Sequence, residues 1–135
     1  MKNKQSIEKV AVIGSGIMGS RIACHFANIG LDVLLLDIAP FKLNGVEKKT
    51  GLTLEHPKVK NRIVKNALKA TLKSKPASLY KKKFISRIKT GNLSDDIEKI
   101  SDSDWIIEVV IESLDIKKQI FEKVKLKIKF FSLIF

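Results

Sequence analysis

The chain has 135 residues, of which 44% are hydrophobic, and a formal net charge of +12 at pH 7. This length suffices for one domain with a buried core but is short for a two-domain enzyme. The single cysteine excludes a disulfide framework. The sequence has no apolar run long enough to span a membrane, and its N-terminus lacks the apolar segment of a signal peptide, so we expect a cytoplasmic protein.

The first predicted elements are a strand, a glycine turn and a helix. The apolar run 10–13 leads into a G-x-G-x-x-G pattern at Gly14, Gly16 and Gly19, and helically spaced apolar residues follow over 17–29. The first glycine allows a tight turn, the second allows a pyrophosphate to approach the backbone, and the third allows close packing of helix on strand. An anion is then favoured at the N-terminus of the helix. The pattern predicts a nucleotide-binding βαβ unit.

The second strand is predicted over the continuous apolar run 33–36, which indicates burial on both faces. Asp37 ends this strand about 20 residues after the glycine turn, where an acidic residue accepts hydrogen bonds from the adenosine ribose. A carboxylate there repels a 2′-phosphate, and residues 38–40 include no arginine. The sequence therefore favours NAD over NADP, with Lys42 as the one nearby cation that argues the other way.

The later elements are predicted from apolar spacing, caps and helix breakers. The fourth predicted strand, over 105–110, is mostly apolar, so we expect it to be covered on both faces. In chain order the predictions are a helix beginning within 41–49, a loop over 51–57, a helix over 59–72, a break over 74–78, a third strand over 84–89, a turn at 91–93, a short helix capped by 94–96 and running through residue 100, a fourth strand over 105–110, and a turn into a helix from 111.

The positive charge is concentrated in two groups of basic residues. Three interpretations remain open: a solvated helix face, which we favour, a surface for an anionic substrate, and a nucleic-acid surface. Aromatic residues are too few for a base-stacking platform, so nucleic acid is the weakest of the three. The first group is Lys58, Lys60, Arg62, Lys65, Lys69 and Lys73, and the second is Lys81, Lys82, Lys83 and Arg87.

The remaining candidates for chemistry are one cysteine and two histidines. Cys24 lies among apolar residues of the first predicted helix, which favours a packed thiol over a nucleophile. His25 and His56 have no partners at metal-ligand spacing and are interpreted as solvated or structural. We therefore predict no metal site and assign no catalytic residue.

Two segments, GSGIMGSRIACHFANIG and WIIEVVIESLDIKKQIFEKV, closely resemble the amino-terminal domain of 3-hydroxyacyl-CoA dehydrogenases, particularly the long form fused to an enoyl-CoA hydratase. The resemblance runs from about residue 7 to residue 124. It implies an α/β fold with a Rossmann-type, doubly wound, mostly parallel sheet that has helices on both faces and is incomplete. Residues 1–124 would form a partial NAD-binding domain, and 125–135 an atypical tail rich in lysine and apolar residues.

The resemblance also implies a function, namely oxidation of L-3-hydroxyacyl-CoA to 3-ketoacyl-CoA in fatty-acid β-oxidation, with hydride transfer to NAD. The acyl-CoA substrate would need the missing region as well. By spacing alone, the Glu112 and Lys117 pair is an exposed helix entry, whereas the resemblance places it near the nicotinamide half. Arg21 replaces a usually small residue and either lines the pyrophosphate or reaches solvent. The NAD contacts that the resemblance implies are Gly14, Gly16, Ile17, Met18, Gly19, Asp37, Glu112 and Lys117.

The family pattern is lost after residue 124. The Ser-Asn-Thr-Ser turn, the catalytic histidine and its glutamate partner that the family has further on are not found, so we expect a truncated or frameshifted gene product. The alternation over 123–130 fits a strand or a continued helix. An exposed sheet edge and an apolar end predict self-association. We expect no membrane involvement.

Three functions therefore stay open. The first is an NAD-binding part that does not turn over by itself, because no positioned base would take the hydroxyl proton. The second is an enzyme completed by a partner chain. The third is a non-catalytic basic module that binds nucleic acid or acidic partners.

Overall fold

The computed structural model describes residues 6–109, 118 and 129–133. Five parallel strands in these residues form one sheet in the order β3–β2–β1–β4–β5. This is the strand order of the doubly wound nucleotide-binding sheet, and it confirms the predicted fold class. The strands are β1 (Lys9–Ile13), β2 (Asp32–Asp37), β3 (Ile88–Asn92), β4 (Trp105–Val109) and β5 (Lys129–Leu133).

Helical segments occupy all three crossovers that the structure describes in full, and the first long helix closely matches its predicted range. The predicted helix over 59–72 is instead two helices, because Asn61 ends one and begins the next. The α-helices are α1 (Ile17–Asn28), α2 (Gly45–Lys49), α3 (Pro57–Lys60) and α4 (Arg62–Lys73), and two 3₁₀ helices cover Lys82–Arg87 and Ile97–Asp102. Among the described residues, no helix combines the length and apolar content needed to cross a bilayer.

The core lies on both faces of the sheet. On one face Val12 and Leu35 pack with buried residues of α1 and α4, including Ala23 and Leu68. The opposite face is covered by the second 3₁₀ helix, and its cluster has the members Ala11, Ile13, Leu36, Leu93, Ile97, Ile100 and Ile106. Burial on both sides explains why β1 and β2 contain continuous apolar runs, and why β4 is apolar except at Glu108, rather than alternating.

The third strand was predicted too early in the chain. Lys82–Arg87 forms a 3₁₀ helix, and β3 begins only at Ile88. The Arg87 guanidinium lies 4.1 Å from the centroid of the Phe84 ring, and its Nη1 donates to the Ala27 carbonyl at 2.6 Å. The hydrogen bond to Ala27 binds the 3₁₀ helix to the end of α1, and apolar spacing does not reveal such a contact.

The turn predicted at 91–93 is wrong for its first two residues, because Gly91 and Asn92 are paired in β3 with Leu36 and Asp37 of β2. The turn begins at Leu93. The capping prediction fails in detail as well. Asp96 precedes the following 3₁₀ helix without a side-chain cap, and its carboxylate accepts from the Asn92 backbone N–H at 2.9 Å. Gly91 and Asn92, which are typical of turns, therefore extend β3, and Asp96 accepts a hydrogen bond from its last residue.

Asn92 is the centre of a polar junction between β3 and the helices inserted after β2. It is 1% exposed. Its Nδ2 donates to Asn61 Oδ1 at 2.9 Å, and its Oδ1 accepts from the Asp95 N–H at 2.9 Å. Lys60 Nζ lies 2.9 Å from Asp95 Oδ1 and 3.3 Å from Glu55 Oε2. The hydrogen bond from Lys60 lowers the pKa of Asp95, and the same bond raises the pKa of Lys60.

Part of the tail belongs to the sheet. Residues 129–133 form β5, which pairs in parallel with β4 over its whole length, so the strand alternative is confirmed for residues 129 and 130. Residues 123–128 lie outside the described residues. The sheet is open and ends at β5 on this side, because β5 pairs with β4. The exposed edge stays a prediction. Of the helix predicted from 111, only residue 118 is described, and it is helical. The rest of that helix lies outside the described residues. Self-association stays a prediction.

Candidate nucleotide-binding site

The glycine turn lies at the carboxyl ends of the central strands β1, β2 and β4. Gly14 has a φ of +106°, its N–H donates to the Leu36 carbonyl at 2.8 Å, and a Cβ on it would lie 2.5 Å from the Val109 carbonyl oxygen. Both the left-handed backbone and the close approach exclude a side chain here. The predicted tight turn at Gly14 is confirmed.

The other two glycines of the pattern differ in what surrounds them. A Cβ on Gly19 would lie 1.7 Å from the Gly14 carbonyl oxygen, so the close approach of α1 to the turn requires a glycine. By contrast, a Cβ on Gly16 would meet no atom within 4 Å. The free space beside Gly16 is where a phosphate can approach the backbone, as the sequence predicts.

The first turn of α1 has the character of an anion site. It begins at Gly16, which offers no side-chain cap, and its first turn contains no acidic residue. The leading N–H groups of a helix lack intrahelical acceptors, and together with the helix dipole they favour a negative group. Ile17 and Met18 are exposed over this turn, at 75% and 44% of their surface. The turn therefore offers N–H donors next to two exposed apolar side chains.

Asp37 lies beside this turn at the end of β2, as predicted. Its Oδ2 accepts from the Ser15 N–H at 2.8 Å and from the Ser15 hydroxyl at 2.5 Å, and its Oδ1 accepts from the Ile38 N–H at 2.7 Å. The carboxylate is half-buried, so part of it remains accessible. The structure thus brings the expected ribose acceptor and the expected pyrophosphate turn together.

Ser15 is a site residue that the sequence reasoning missed. It is fully buried, and it connects the glycine turn to Asp37 through both its backbone N–H and its hydroxyl. Ser20, also fully buried, donates its hydroxyl to the Ser15 carbonyl at 2.6 Å. The signal was the hydroxyl at the variable position between the first two glycines, which the glycine pattern treats as any residue.

Glu108 is a second residue that was missed. It is fully buried near the end of β4, directly opposite Ile13, the residue before the glycine turn. A lone acid within an apolar strand was the available signal, because burying a carboxylate costs free energy unless the site compensates it. Glu112 and Lys117, which the resemblance placed near the nicotinamide half, lie outside the described residues.

A cleft of about 410 Å³ opens between the start of α1 and α4. Arg21 is exposed and lines this cleft together with Gly16 of the glycine turn. The cleft is lined by Ser15, Gly16, Ile17, Arg21, Ala67, Ala70, Thr71 and Ser74. All of these residues except Ile17 and Arg21 are small, and the cleft opens directly beside the glycine turn.

The cysteine and the histidines have the structural roles that were predicted for them. Cys24 is fully buried in α1, and desolvation raises the pKa of its thiol. His56 begins α3, where its Nδ1 accepts from the Lys58 N–H at 3.2 Å. His25 is exposed near the end of α1. In the described residues neither histidine lies on the glycine turn.

The first group of basic residues divides into two kinds. Lys65, Lys69 and Lys73 are exposed along α4 and form the predicted solvated face. Lys60 and Arg62 are partly buried in ion pairs, and Arg62 Nε lies 3.1 Å from Glu47 Oε2. The interpretation of the whole group as solvated is therefore wrong for these two residues, because acidic side chains of neighbouring segments bind them.

Comparison with known proteins agrees with this geometry. Residues 9–130 match the family model described as "3-hydroxyacyl-CoA dehydrogenase, NAD binding domain". The "Probable 3-hydroxyacyl-CoA dehydrogenase" of Bacillus subtilis is 55% identical over 115 residues, which are 85% of this chain and 15% of that protein. The "Putative fatty acid oxidation complex trifunctional enzyme" of Rickettsia felis is 40% identical over 121 residues, which are 90% of this chain and 15% of that protein.

Among solved structures, the (S)-3-hydroxybutyryl-CoA dehydrogenase of Ralstonia eutropha is similar in fold, with a TM-score of 0.55 at 24% identity. The match covers 94% of this chain and 41% of that one. The chain thus spans well under half of each of these proteins. The chain belongs to the 3-hydroxyacyl-CoA dehydrogenase family, as an NAD-binding domain of that family.

Proposed function

We propose that this chain is the NAD-binding portion of an enzyme that oxidises L-3-hydroxyacyl-CoA to 3-ketoacyl-CoA in fatty-acid β-oxidation. The observation that carries the proposal is the pairing of an open glycine turn with the fixed Asp37 carboxylate. Two names support the reaction and the process, those of the Bacillus subtilis dehydrogenase and the Rickettsia felis complex.

In this proposal the two halves of the site hold different parts of the cofactor. The N–H groups at the start of α1 bind the pyrophosphate, and Gly16 allows its close approach. Asp37 accepts from the adenosine ribose. Bound NAD supplies the hydride acceptor. The other proposed contacts are Gly14, Ile17, Met18, Gly19, Glu112 and Lys117.

The substrate hydroxyl must lose a proton as its carbon loses a hydride, so a base is required. His25 lies near the far end of α1 from the glycine turn, and His56 is occupied as the cap of α3. We therefore propose that the base comes from another part of the complete enzyme. These 135 residues would then bind NAD without turning over acyl-CoA.

The cleft between α1 and α4 is the proposed approach for the acyl-CoA substrate. It is next to the turn, most of its lining residues are small, and Arg21 in the lining provides a positive charge. These features suit a thioester chain with a charged end. A completing region of the enzyme would close the cleft from the other side.

Titration of the chain with NAD by calorimetry tests the proposal. Saturable binding is expected, with a loss of about tenfold or more in Asp37→Ala, since a hydrogen bond to a charged group contributes about 1.5–3 kcal/mol. Asp32→Ala is the matched control, because Asp32 is an exposed acid at the other end of the same strand. A cooperatively folded chain without NAD binding, or equal losses in both variants, would contradict the proposal.

The absence of turnover is tested separately. NADH oxidation with a 3-ketoacyl-CoA should stay at the level of a protein-free blank while NAD binding is intact. Turnover above that level that is lost in His25→Ala or His56→Ala would show that the base is already in this chain.

A further inference from the structure

The environment of Asp37 contains a contact that nucleotide binding alone does not require. The Ser15 hydroxyl, buried completely, donates to Asp37 Oδ2 at 2.5 Å, although the Ser15 N–H already donates to the same oxygen at 2.8 Å. On the other side, Ile38 N–H donates to Oδ1 at 2.7 Å. Three donors thus hold one carboxylate from two directions.

We propose that the Ser15 hydroxyl is a selectivity determinant, which fixes the Asp37 carboxylate so that the site accepts the ribose of NAD and rejects the 2′-phosphate of NADP. The inference rests on the proposed function, because it assumes that Asp37 faces the adenosine ribose. Ser15 acts through Asp37 and is therefore a positioning residue.

The physical argument begins with the strength of these bonds. A hydrogen bond to an ionised acceptor is shorter and about twice as strong as one between neutral groups. Rotation of the carboxylate would break the bonds from both Ser15 donors at once. Since Ser15 is buried, its hydroxyl would then lose its partner away from water, which adds a desolvation cost. The carboxylate is thereby ordered before the cofactor arrives.

Order in the carboxylate affects the two cofactors differently. A ribose hydroxyl gains from an acceptor that is already placed, since no rotational freedom is lost on binding. A 2′-phosphate meets a negative charge that cannot turn away, and repulsion between like charges grows as the distance shrinks. Release of the carboxylate should therefore weaken NAD binding and relieve part of the repulsion of NADP.

Ser20 supplies a matched control within the same turn. It is as fully buried as Ser15, but its hydroxyl donates to the Ser15 carbonyl rather than to the carboxylate. Removal of either hydroxyl perturbs a buried serine next to the glycine turn. Only removal of the Ser15 hydroxyl takes a donor away from Asp37.

The experiment measures NAD and NADP affinity by calorimetry in the wild-type chain, Ser15→Ala and Ser20→Ala, with thermal unfolding of each protein. In Ser15→Ala we expect NAD affinity to fall about tenfold while NADP affinity falls less or rises, so that the NAD:NADP ratio drops. Ser20→Ala should keep the wild-type ratio. In an Asp37→Ala background, removal of the Ser15 hydroxyl should leave the ratio unchanged.

An equal loss for both cofactors in Ser15→Ala would overturn the proposal, since it would mark a purely structural role. An unchanged or higher NAD affinity would also overturn it, because the hydroxyl would then be competing with the ribose. If Ser15→Ala does not fold, Ser15→Gly removes the same hydroxyl and is read in the same way. Absence of NAD binding to the wild-type chain overturns both proposals, whereas wild-type binding with an unchanged ratio overturns this one alone.

Discussion

The glycine turn and helix α4 lie on opposite sides of one cleft and are built in opposite ways. In the turn, backbone atoms pack on backbone atoms, so that a Cβ on Gly14 or Gly19 would lie 2.5 Å or 1.7 Å from a carbonyl oxygen. Helix α4 presents exposed lysines to solvent and buries only one stripe of residues. A position in the turn should therefore tolerate substitution poorly, because an added side chain would meet backbone atoms. An exposed position on α4 should tolerate it well, because its side chain lies in solvent.

The largest effect should come from adding one carbon to the turn. In Gly19→Ala the new methyl would lie 1.7 Å from the Gly14 carbonyl oxygen, so α1 must move away from the turn. We expect a loss of about 3 kcal/mol or more in the free energy of unfolding. Urea denaturation followed by circular dichroism measures it.

Gly16→Ala is the control for that variant, because its Cβ would meet no atom within 4 Å. Its unfolding free energy should stay within about 0.5 kcal/mol of the wild type. NAD affinity should nevertheless fall, since the methyl would occupy the space of the pyrophosphate. Equal destabilisation of the two variants would show that the turn is not limited by its backbone.

The next effect concerns the junction of β3 with the inserted helices. Asn92→Ala removes the partners of Asn61 Oδ1 and of the Asp95 N–H in a fully buried position. A loss of about 2 kcal/mol in unfolding free energy is expected, because buried groups left without a hydrogen bond pay their desolvation cost. Chemical denaturation checks this against Asn66→Ala, in which the residue is exposed on α4.

A smaller effect should appear as a dependence on pH. The hydrogen bond from Lys60 lowers the pKa of Asp95 below its ordinary value of 3.8 in the folded chain. The stability that Asp95 contributes is therefore present above that value and lost as the pH falls through the lower, folded-state pKa. Asp95→Asn should be less stable than the wild type at pH 6, and the difference should shrink below about pH 4.

Thermal unfolding over this pH range measures the effect, with Asp102→Asn as an exposed control. The contribution should also weaken in high salt, because the pair is near the surface. A difference between Asp95→Asn and the wild type that stays constant down to pH 2 would rule out titration of Asp95 as its source.

The smallest effect is expected on α4 itself. Replacement of Lys65, Lys69 and Lys73 by glutamine changes three exposed side chains on one helix face. The unfolding free energy should change by less than about 0.5 kcal/mol per residue, and NAD affinity should stay the same. Calorimetry and urea denaturation check both quantities. A clear loss of NAD affinity would show that α4 takes part in cofactor binding.

The elements that the sequence predicted well are those in which a single physical cause dominates. β1, α1 and β2 follow from continuous apolar runs and a steric need for glycine, and all three are observed close to their predicted ranges. β3 was misplaced because its last residues, Gly91 and Asn92, are typical of turns, while their pairing with β2 and the bonds of Asn92 decide otherwise.

The site shows the same division. Asp37 and the glycines were found from their spacing, whereas Ser15 and Glu108 were not. The Ser15 contact with Asp37 spans 22 positions in sequence, and Glu108 lies opposite Ile13 only because β4 pairs with β1. A pattern along the chain does not contain such contacts.

The glycine turn also joins parts of the chain that are synthesised at different times. Gly14 donates to Leu36, and it packs against the carbonyl of Val109, the last residue of β4. On the ribosome, β1, α1 and β2 emerge long before β4 does. The contact between Gly14 and Val109 therefore forms only after residue 109 has left the exit tunnel. A nascent chain acquires its cofactor pocket at that late point rather than when the glycine motif itself emerges.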